Sequence, residues 1–275
     1  ADSGEPTPDA PFTAFVSGSE LRVVGKVVKG VTGTRVRYWA DRQIFTSGAS
    51  LASEELLDRL RQTAFLVPGL RLDLRDERGA EPTTERFSFE GGIAEFVEHL
   101  APDAAITDTW RLTGNGTFTE TVPVLAPAGA MVPTELEREC RVDVALRWGT
   151  GYDTVFKSFV NIIATPKGGT HQAGFEQSML KFLRAEVDKN ARRLKVVSQG
   201  RGSSNGVEKL EKDDILAGLT AVLTVRLPEP QFEGQTKEIL GTPAVRTIVA
   251  NVVAKAMAEK YASPKRSDRD QAALV

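Results

Sequence analysis

VDVALRWGTGYDTVFKSFVNIIATPKGGTHQAGF (residues 142–175) contains two apolar stretches followed by a glycine pair. Every second residue from 142 to 148 is apolar, which predicts a strand with one apolar face. Residues 149–151 are Gly-Thr-Gly, so we expect a hairpin turn into a second strand over residues 155–164. A long helix should follow, because apolar side chains then recur at helical spacing: Phe175, Met179, Phe182, Leu183 and Val187.

The sequence on either side of this run alternates between strand and helix patterns. Residues 220–227 form a predicted strand, and residues 243–261 form a predicted amphipathic helix. Upstream, residues 111–124 have strand character, the glycine pair 91–92 precedes a short helix, and Ser53 is expected to cap another helix. This order predicts an α+β fold with helices on one face of a sheet.

Composition limits the classes of protein that this chain can belong to. It has 275 residues, of which 41% are hydrophobic and 26% charged, as expected for one or two globular domains. The net charge of -2 gives no overall basic footprint for nucleic acid. Cys140 is the only cysteine, so no internal disulfide can form, and with His99 and His171 as the only histidines a zinc site is not expected. No apolar run is long enough to span a membrane, and we expect a cytoplasmic protein.

Two glycine-containing segments are candidates for chemistry. Residues 168–175 (GGTHQAGF) lie between a strand and a helix, where backbone amides can approach an anion; the alternative is a plain turn with Thr170 as cap. Residues 231–241 (QFEGQTKEILG) place Lys237 on a loop after a strand, which suits a phosphate contact, although a surface loop has the same composition.

Other polar residues carry weaker hypotheses. His171 has no nucleophile or acidic partner in its neighbourhood of the sequence, so a hydrogen-bonded packing residue is favoured over a general base of a hydrolase. The pair Asp213-Asp214 suits the start of a short helix better than a metal site.

The two glycine-containing segments, in this order, resemble the B-type subunit of bacterial type IIA DNA topoisomerases, the family of gyrase and topoisomerase IV. Four further segments add to the resemblance: TGTRVRYW (32–39), FSFEGGIAEF (87–96), VALRWGTGY (144–152) and DDILAGL (213–219). The resemblance covers residues 20–262. It implies a piece of an ATP-hydrolysing enzyme that changes DNA topology.

The resemblance also implies a domain plan. Residues 20–100 are the C-terminal part of a GHKL ATPase domain with a partial sheet, and residues 1–19, which are acidic and rich in proline, are expected from their composition to be a flexible lead-in. Residues 101–262 are a transducer domain whose α/β fold resembles the second domain of a ribosomal protein. Residues 263–275 begin a linker towards a toprim domain. Since the sheet of residues 1–100 is incomplete, we expect that region to be loosely held.

The resemblance further implies the site residues and partners. Gln235 and Lys237 contact the γ-phosphate of ATP, with Lys237 as the catalytic residue, and Thr34 helps to hold the adenine through water. ATP and Mg²⁺ are the cofactors of the parent enzyme, and no tight binding to this piece is expected. The partners are DNA, the DNA-cleaving A-type subunit and a second B-type copy, and no membrane is involved.

Several positions depart from the family pattern. Ile239 and Thr242 stand where many members carry Lys and Asn, and Glu176 stands where some members place an arginine facing DNA. The catalytic glutamate, the magnesium-binding asparagine and the ATP lid are expected upstream of Ala1. The alternative function is a nucleic-acid- or protein-binding α+β module without a link to ATP.

Overall fold

The computed structural model describes residues 52–125, 131–194 and 210–275, together with scattered positions between 25 and 45. The chain forms two compact units, Ala1–Leu51 and Ala52–Val275, and the fold below is that of the second. The sequence pattern also predicts strands over residues 21–28 and 34–39, and most of these positions lie outside the described residues. No helix in the described ranges is both long and apolar enough to pass through a lipid bilayer.

The second unit contains six helices and seven strands within its described residues. In chain order they are α1 (Ser53–Leu66), β1 (Leu72–Asp76), β2 (Thr83–Phe87), α2 (Ile93–Leu100), β3 (Trp110–Leu125), β4 (Met131–Trp148), β5 (Val155–Val160), β6 (Ile163–Ala164), α3 (Thr170–Leu194), α4 (Lys212–Leu216), β7 (Leu219–Arg226), α5 (Pro243–Tyr261) and α6 (Arg266–Ala272). The predicted α+β class is confirmed.

Five strands form the main sheet in the order β3-β4-β7-β5-β6, and β1 and β2 form a separate antiparallel pair. The hairpin predicted between β4 and β5 is wrong, because β7 lies between them, antiparallel to β4 and parallel to β5. Seven of the eight residues of β7 are buried, and a strand that is buried on both faces suits the centre of a sheet. The Gly149 amide instead bonds the Gly218 carbonyl, just before β7, at 2.9 Å.

The apolar run 155–164 was predicted as one strand but is divided into β5 and β6. Asn161 takes a left-handed φ of 58° between them, a conformation that asparagine tolerates better than most residues. Its side-chain amide accepts a hydrogen bond from the Leu227 amide at 3.1 Å and donates one to the Leu227 carbonyl at 3.2 Å. The Asn161 side chain therefore bonds the chain reversal between β5 and β6 to the residue that follows β7.

One face of the sheet is covered by α3 and α5. The apolar stripe predicted for the helix over residues 243–261 is confirmed in α5, since all six of its residues are buried: Val245, Ile248, Val249, Val252, Val253 and Met257. The alternate apolar residues of β4 from 142 to 148 face the same core, as predicted. The two helices approach closely at Gly174, where an added Cβ would lie 2.3 Å from the Arg246 carbonyl oxygen.

The opposite face is covered by α1 and α2, so helices lie on both faces rather than on the single face predicted. Phe65, Phe96 and Val97 from these helices form a second core with Ala145 of β4 and Val222 of β7. The end of α1 and the buried face of α2 are therefore anchored to the main sheet, and the expectation that the first hundred residues are loosely held stays a prediction for the other residues.

The helix ends differ from the sequence-based predictions in detail. Ser53 is the first residue of α1 rather than its cap, and its hydroxyl contacts Asp76 and Arg78 instead. The start of α4 is a capping box in which the Asp214 carboxylate accepts the Glu211 amide at 2.7 Å, so the pair 213–214 contributes one half of the cap. The predicted linker contains α6, whose Asp268 binds Lys260 of α5 at 2.7 Å.

Candidate functional site

The two glycine-containing segments meet in the structure. The Leu240 amide donates to the Gly168 carbonyl at 3.1 Å, and the Thr170 amide donates to the Leu240 carbonyl at 2.9 Å. Residues 231–241 are therefore joined by backbone bonds to the first turn of α3, although more than 60 positions separate them in the chain.

Glycine is required at position 169 for this contact. Gly169 has a φ of 135°, and a Cβ there would lie 2.4 Å from the Leu240 carbonyl oxygen and 2.5 Å from its nitrogen. Only a residue without a side chain allows the two backbones this approach. Thr170, predicted as a possible cap, is the first residue of α3, and its hydroxyl donates to the Thr242 carbonyl at 2.9 Å.

Residues 231–241 form a short hairpin, which we call the sensor hairpin. The Glu233 amide donates to the Ile239 carbonyl at 2.9 Å, and the Gly241 amide donates to the Gln231 carbonyl at 2.8 Å. The tip turns at Gly234 and at Lys237, whose φ of 57° is left-handed. The hairpin is thus closed by backbone bonds at its base, and residues 233–237 at its tip are exposed.

The predicted residues Gln235 and Lys237 both lie exposed at this tip. The Lys237 Nζ lies 6.0 Å from the centre of the Phe232 ring, and within the described ranges it has no carboxylate at ion-pair distance. The neighbouring Glu238 is engaged by Lys167 at 2.7 Å and by the Thr236 hydroxyl, and the hydrogen bond from Lys167 is the main cause of its lowered pKa. A cation beside an amide, without a competing carboxylate, suits a phosphate group.

His171 is the second residue of α3, next to the junction with the sensor hairpin. It is fully buried, its Nε2 lies 3.0 Å from the Thr165 hydroxyl, and burial lowers its pKa to about 4. A buried neutral imidazole packs and accepts or donates a hydrogen bond, but it cannot reach an external substrate. The predicted packing role is confirmed, and the hydrolase hypothesis loses its candidate base.

The remaining candidates are Thr34 and the pair Asp213-Asp214. Thr34 belongs to the first unit, where its side chain is exposed. In the part of the chain that the structure describes, no three or more His, Cys, Asp or Glu side chains lie together as a metal site. The Asp214 carboxylate accepts the Glu211 amide in the capping box of α4, which fits the helix-start interpretation of this pair.

Polar contacts at the base of the sensor hairpin were not predicted from the sequence. Gln231 Nε2 donates to Glu120 of β3 at 2.7 Å, and Arg138 of β4 binds Glu229 at 2.5 Å. Period-two alternation does place Glu120 and Arg138 on the inner faces of their strands. It does not show which loop those faces meet.

Comparison with known proteins now identifies the family. The family model described as DNA gyrase B matches residues 92–269. The chain belongs to the DNA gyrase B family. It is 38% identical over 239 residues to the B-type subunit of DNA topoisomerase 4 from Enterococcus faecalis, covering 86% of this chain. It is 34% identical over 243 residues to the B-type subunit of DNA gyrase from Treponema denticola, covering 88%.

The family assignment extends to structure. The 43K ATPase domain of Thermus thermophilus gyrase B, solved with an aminocoumarin, matches 92% of this chain and 60% of its own length with a TM-score of 0.63 and 27% identity. The chain spans about a third of the curated relatives, 30% of the Enterococcus and 34% of the Treponema protein. The resemblance predicted from the sequence motifs is confirmed.

Proposed function

We propose that this chain is part of the B-type subunit of an ATP-hydrolysing type II DNA topoisomerase, and that the sensor hairpin detects the terminal phosphate of ATP. The proposal rests on family membership together with one observation: Gln235 and Lys237 stand exposed at the tip of a hairpin whose base is bonded to α3. In the proposed domain plan, residues 20–100 close the ATPase domain, residues 101–262 form the transducer, and residues 263–275 begin a linker.

The chemistry at the tip is electrostatic. The Lys237 ammonium and the Gln235 amide donate to oxygens of the γ-phosphate, with Thr34 as a proposed contact to the adenine. A hydrogen bond to a charged group contributes about 1.5–3 kcal/mol, which shifts a two-state equilibrium by about ten- to a hundredfold. Lys237 also offsets negative charge that accumulates as the terminal phosphate leaves, which is the catalytic part of its role.

The hairpin base transmits the signal. When the phosphate contact is lost, the tip is released, and the backbone bonds of Leu240 to Gly168 and Thr170 carry the displacement to α3. Because α3 packs on α5 and on the main sheet, its movement involves the whole of that layer. A few kcal/mol from one contact do not move large domains unaided, so closure of a dimer of B-type subunits shares the work.

The proposed partners follow from this role. They are DNA, the DNA-cleaving A-type subunit and a second B-type copy, with ATP and Mg²⁺ as cofactors of the whole enzyme. The described residues offer no metal cluster, so the magnesium ligands are proposed to lie in the upstream part of the ATPase domain.

The test replaces Lys237 by alanine in the full-length subunit assembled with its A-type partner. We expect ATP turnover to fall about tenfold or more, as a lost charged contact in the transition state requires. Lys255→Ala is the matched control, because Lys255 is an exposed lysine of α5 outside the hairpin. Unchanged turnover with Lys237→Ala would refute the sensor role and favour a binding module without a link to ATP.

A further inference from the structure

The β3–β4 ribbon extends well beyond the main sheet. β3 and β4 pair with each other from Trp110 to Leu125 and from Met131 to Leu146, whereas β7 pairs with β4 only from Arg141 to Trp148. The half of the ribbon nearer its tip therefore has no other described strand beside it. Besides α5, this half contacts residues 229–231, which lead into the sensor hairpin and which we call its root.

Two side chains of the ribbon make that contact. Glu120 accepts a hydrogen bond from Gln231 Nε2 at 2.7 Å, and Arg138 Nη2 binds the Glu229 carboxylate at 2.5 Å. Arg138 Nε also lies 3.5 Å from Glu120, so the two ribbon residues form one charged group. Each side chain is only 16% exposed, which distinguishes this group from the solvated ion pairs elsewhere on the ribbon.

The residues that they hold control the course of the hairpin. Gln231 forms its first backbone bond, accepting the Gly241 amide at 2.8 Å, and its own amide donates to the Thr242 hydroxyl at 3.1 Å. Glu229 lies between two prolines and has a left-handed φ of 49°. The two prolines fix their own φ angles on either side of Glu229. A glutamate in the left-handed region is disfavoured unless another residue holds it. Arg138 is the described residue that does so.

We propose that Arg138 and Glu120 are positioning residues for Gln235 and Lys237. They fix the root of the sensor hairpin so that its tip is presented to the phosphate, and they make the ribbon move together with the hairpin. This inference rests on the proposed function for its consequence in catalysis, but the mechanical link can be measured separately.

The test uses Arg138→Met and Glu120→Gln in the full-length subunit. Hydrogen exchange is measured at the amides of Glu233 and Leu240, which donate to Ile239 across the hairpin and to Gly168 just before α3, and ATP turnover is measured in parallel. We expect exchange at these amides to rise about tenfold in both variants, as loss of a charged hydrogen bond predicts, and kcat to fall several-fold. Arg138→Lys, which keeps the charge, should restore part of both.

Arg141→Met is the control, since Arg141 lies on the same strand with 70% of its side chain exposed and pairs only with Glu139 among the described residues. Unchanged hairpin exchange in both test variants, or an increase no larger than the control's, would overturn the proposal. Faster exchange with normal turnover would also overturn the positioning role. If a variant unfolds as a whole, hydrogen exchange also rises at Val222 in the centre of the sheet. In that case the hairpin exchange and the ATP turnover of Arg138→Lys decide between the outcomes.

The two proposals fail in different ways. If Lys237→Ala leaves turnover unchanged, the sensor role is lost, while hairpin exchange still reports whether the ribbon holds its root. If Lys237→Ala abolishes turnover but Arg138→Met and Glu120→Gln behave as the control does, the sensor role stands and the ribbon has no part in it.

Discussion

Gly169 and Leu240 approach so closely that a Cβ atom on Gly169 would lie 2.4 Å from the Leu240 carbonyl oxygen. The contact joins the start of α3 to the sensor hairpin through backbone atoms alone. A change of side chain at the positions on either side of the junction leaves this backbone contact in place. An increase in the distance between the two backbones breaks it.

Gly169→Ala should therefore detach the hairpin. The new methyl group meets backbone on the other side, which cannot rotate away, so we expect a loss of about 2–4 kcal/mol in unfolding free energy. Urea denaturation measures it. Gly241→Ala is the control in the same hairpin, because its Cβ would meet the Gln231 carbonyl at an ordinary 3.5 Å. Equal losses for the two variants would contradict this expectation.

The packing of α5 on β3 depends on a second glycine. A Cβ on Gly116 would lie 2.9 Å from a side-chain methyl of Ile248. Gly116→Ala should cost about 1–3 kcal/mol by overpacking, and Ile248→Ala about 2–4 kcal/mol by leaving a cavity. The double variant should lose less than the sum by about 1 kcal/mol, because each change relieves the other. Simple additivity in urea denaturation would show that the two residues do not share space.

The stability of the chain should depend on pH through His171. Its folded pKa of about 4 lies below the ordinary 6.5, so between these values the unfolded state binds a proton that the folded state does not. Stability is complete above pH 6.5 and falls as the pH falls, by about 2 kcal/mol at pH 5.

His171→Gln isolates this contribution, since the amide can still bond the Thr165 hydroxyl but does not titrate. Between pH 7.5 and pH 5, the free energy of unfolding measured by urea denaturation should fall by about 2 kcal/mol less in the variant than in the parent chain. Identical losses would show that the imidazole titrates equally in both states. Carboxylates with lowered pKa values, such as Glu238, affect both proteins alike.

Cys140 should be chemically inert in the folded chain. It is fully buried in β4, and burial raises the pKa of its thiol to about 11, with a smaller effect of the Glu139 charge. Because only the thiolate reacts, alkylation by iodoacetamide at pH 8 should be about a hundredfold slower in the native chain than in urea. Cys140 is the only thiol, so the reaction has one site. Rapid native alkylation would mean that β4 opens frequently.

Periodicity predicted those elements whose environment is uniform along their length. The stripe from Val245 to Met257 was correct because a single apolar core lies beneath α5. The hairpin between β4 and β5 was wrong because local turn chemistry at residues 149–151 gives no information on a strand that arrives some 70 residues later. Strand order is set by which strand can be buried on both faces, and that is a property of β7.

The site was predictable only in part for a similar reason. Gln235 and Lys237 were predicted from motifs and lie at an exposed tip, and their contact with a phosphate stays a prediction. Their supports, Glu120 and Arg138, carry no local signal, since an acid and a base on a polar-looking ribbon resemble any solvated pair. Their importance depends on which loop the ribbon meets, and only the three-dimensional structure gives that.

The main sheet has a consequence for how the chain melts. Ala145 and Val222 belong to the core under α1 and α2, while their neighbours Val144 and Leu223 belong to the core under α3 and α5. Both helical layers pack on β4 and β7. If one layer lost its packing on these strands, the other would lose its packing as well. Heating should therefore produce one calorimetric transition for everything from Ala52 onwards, without a half-molten species in which one helical layer survives alone.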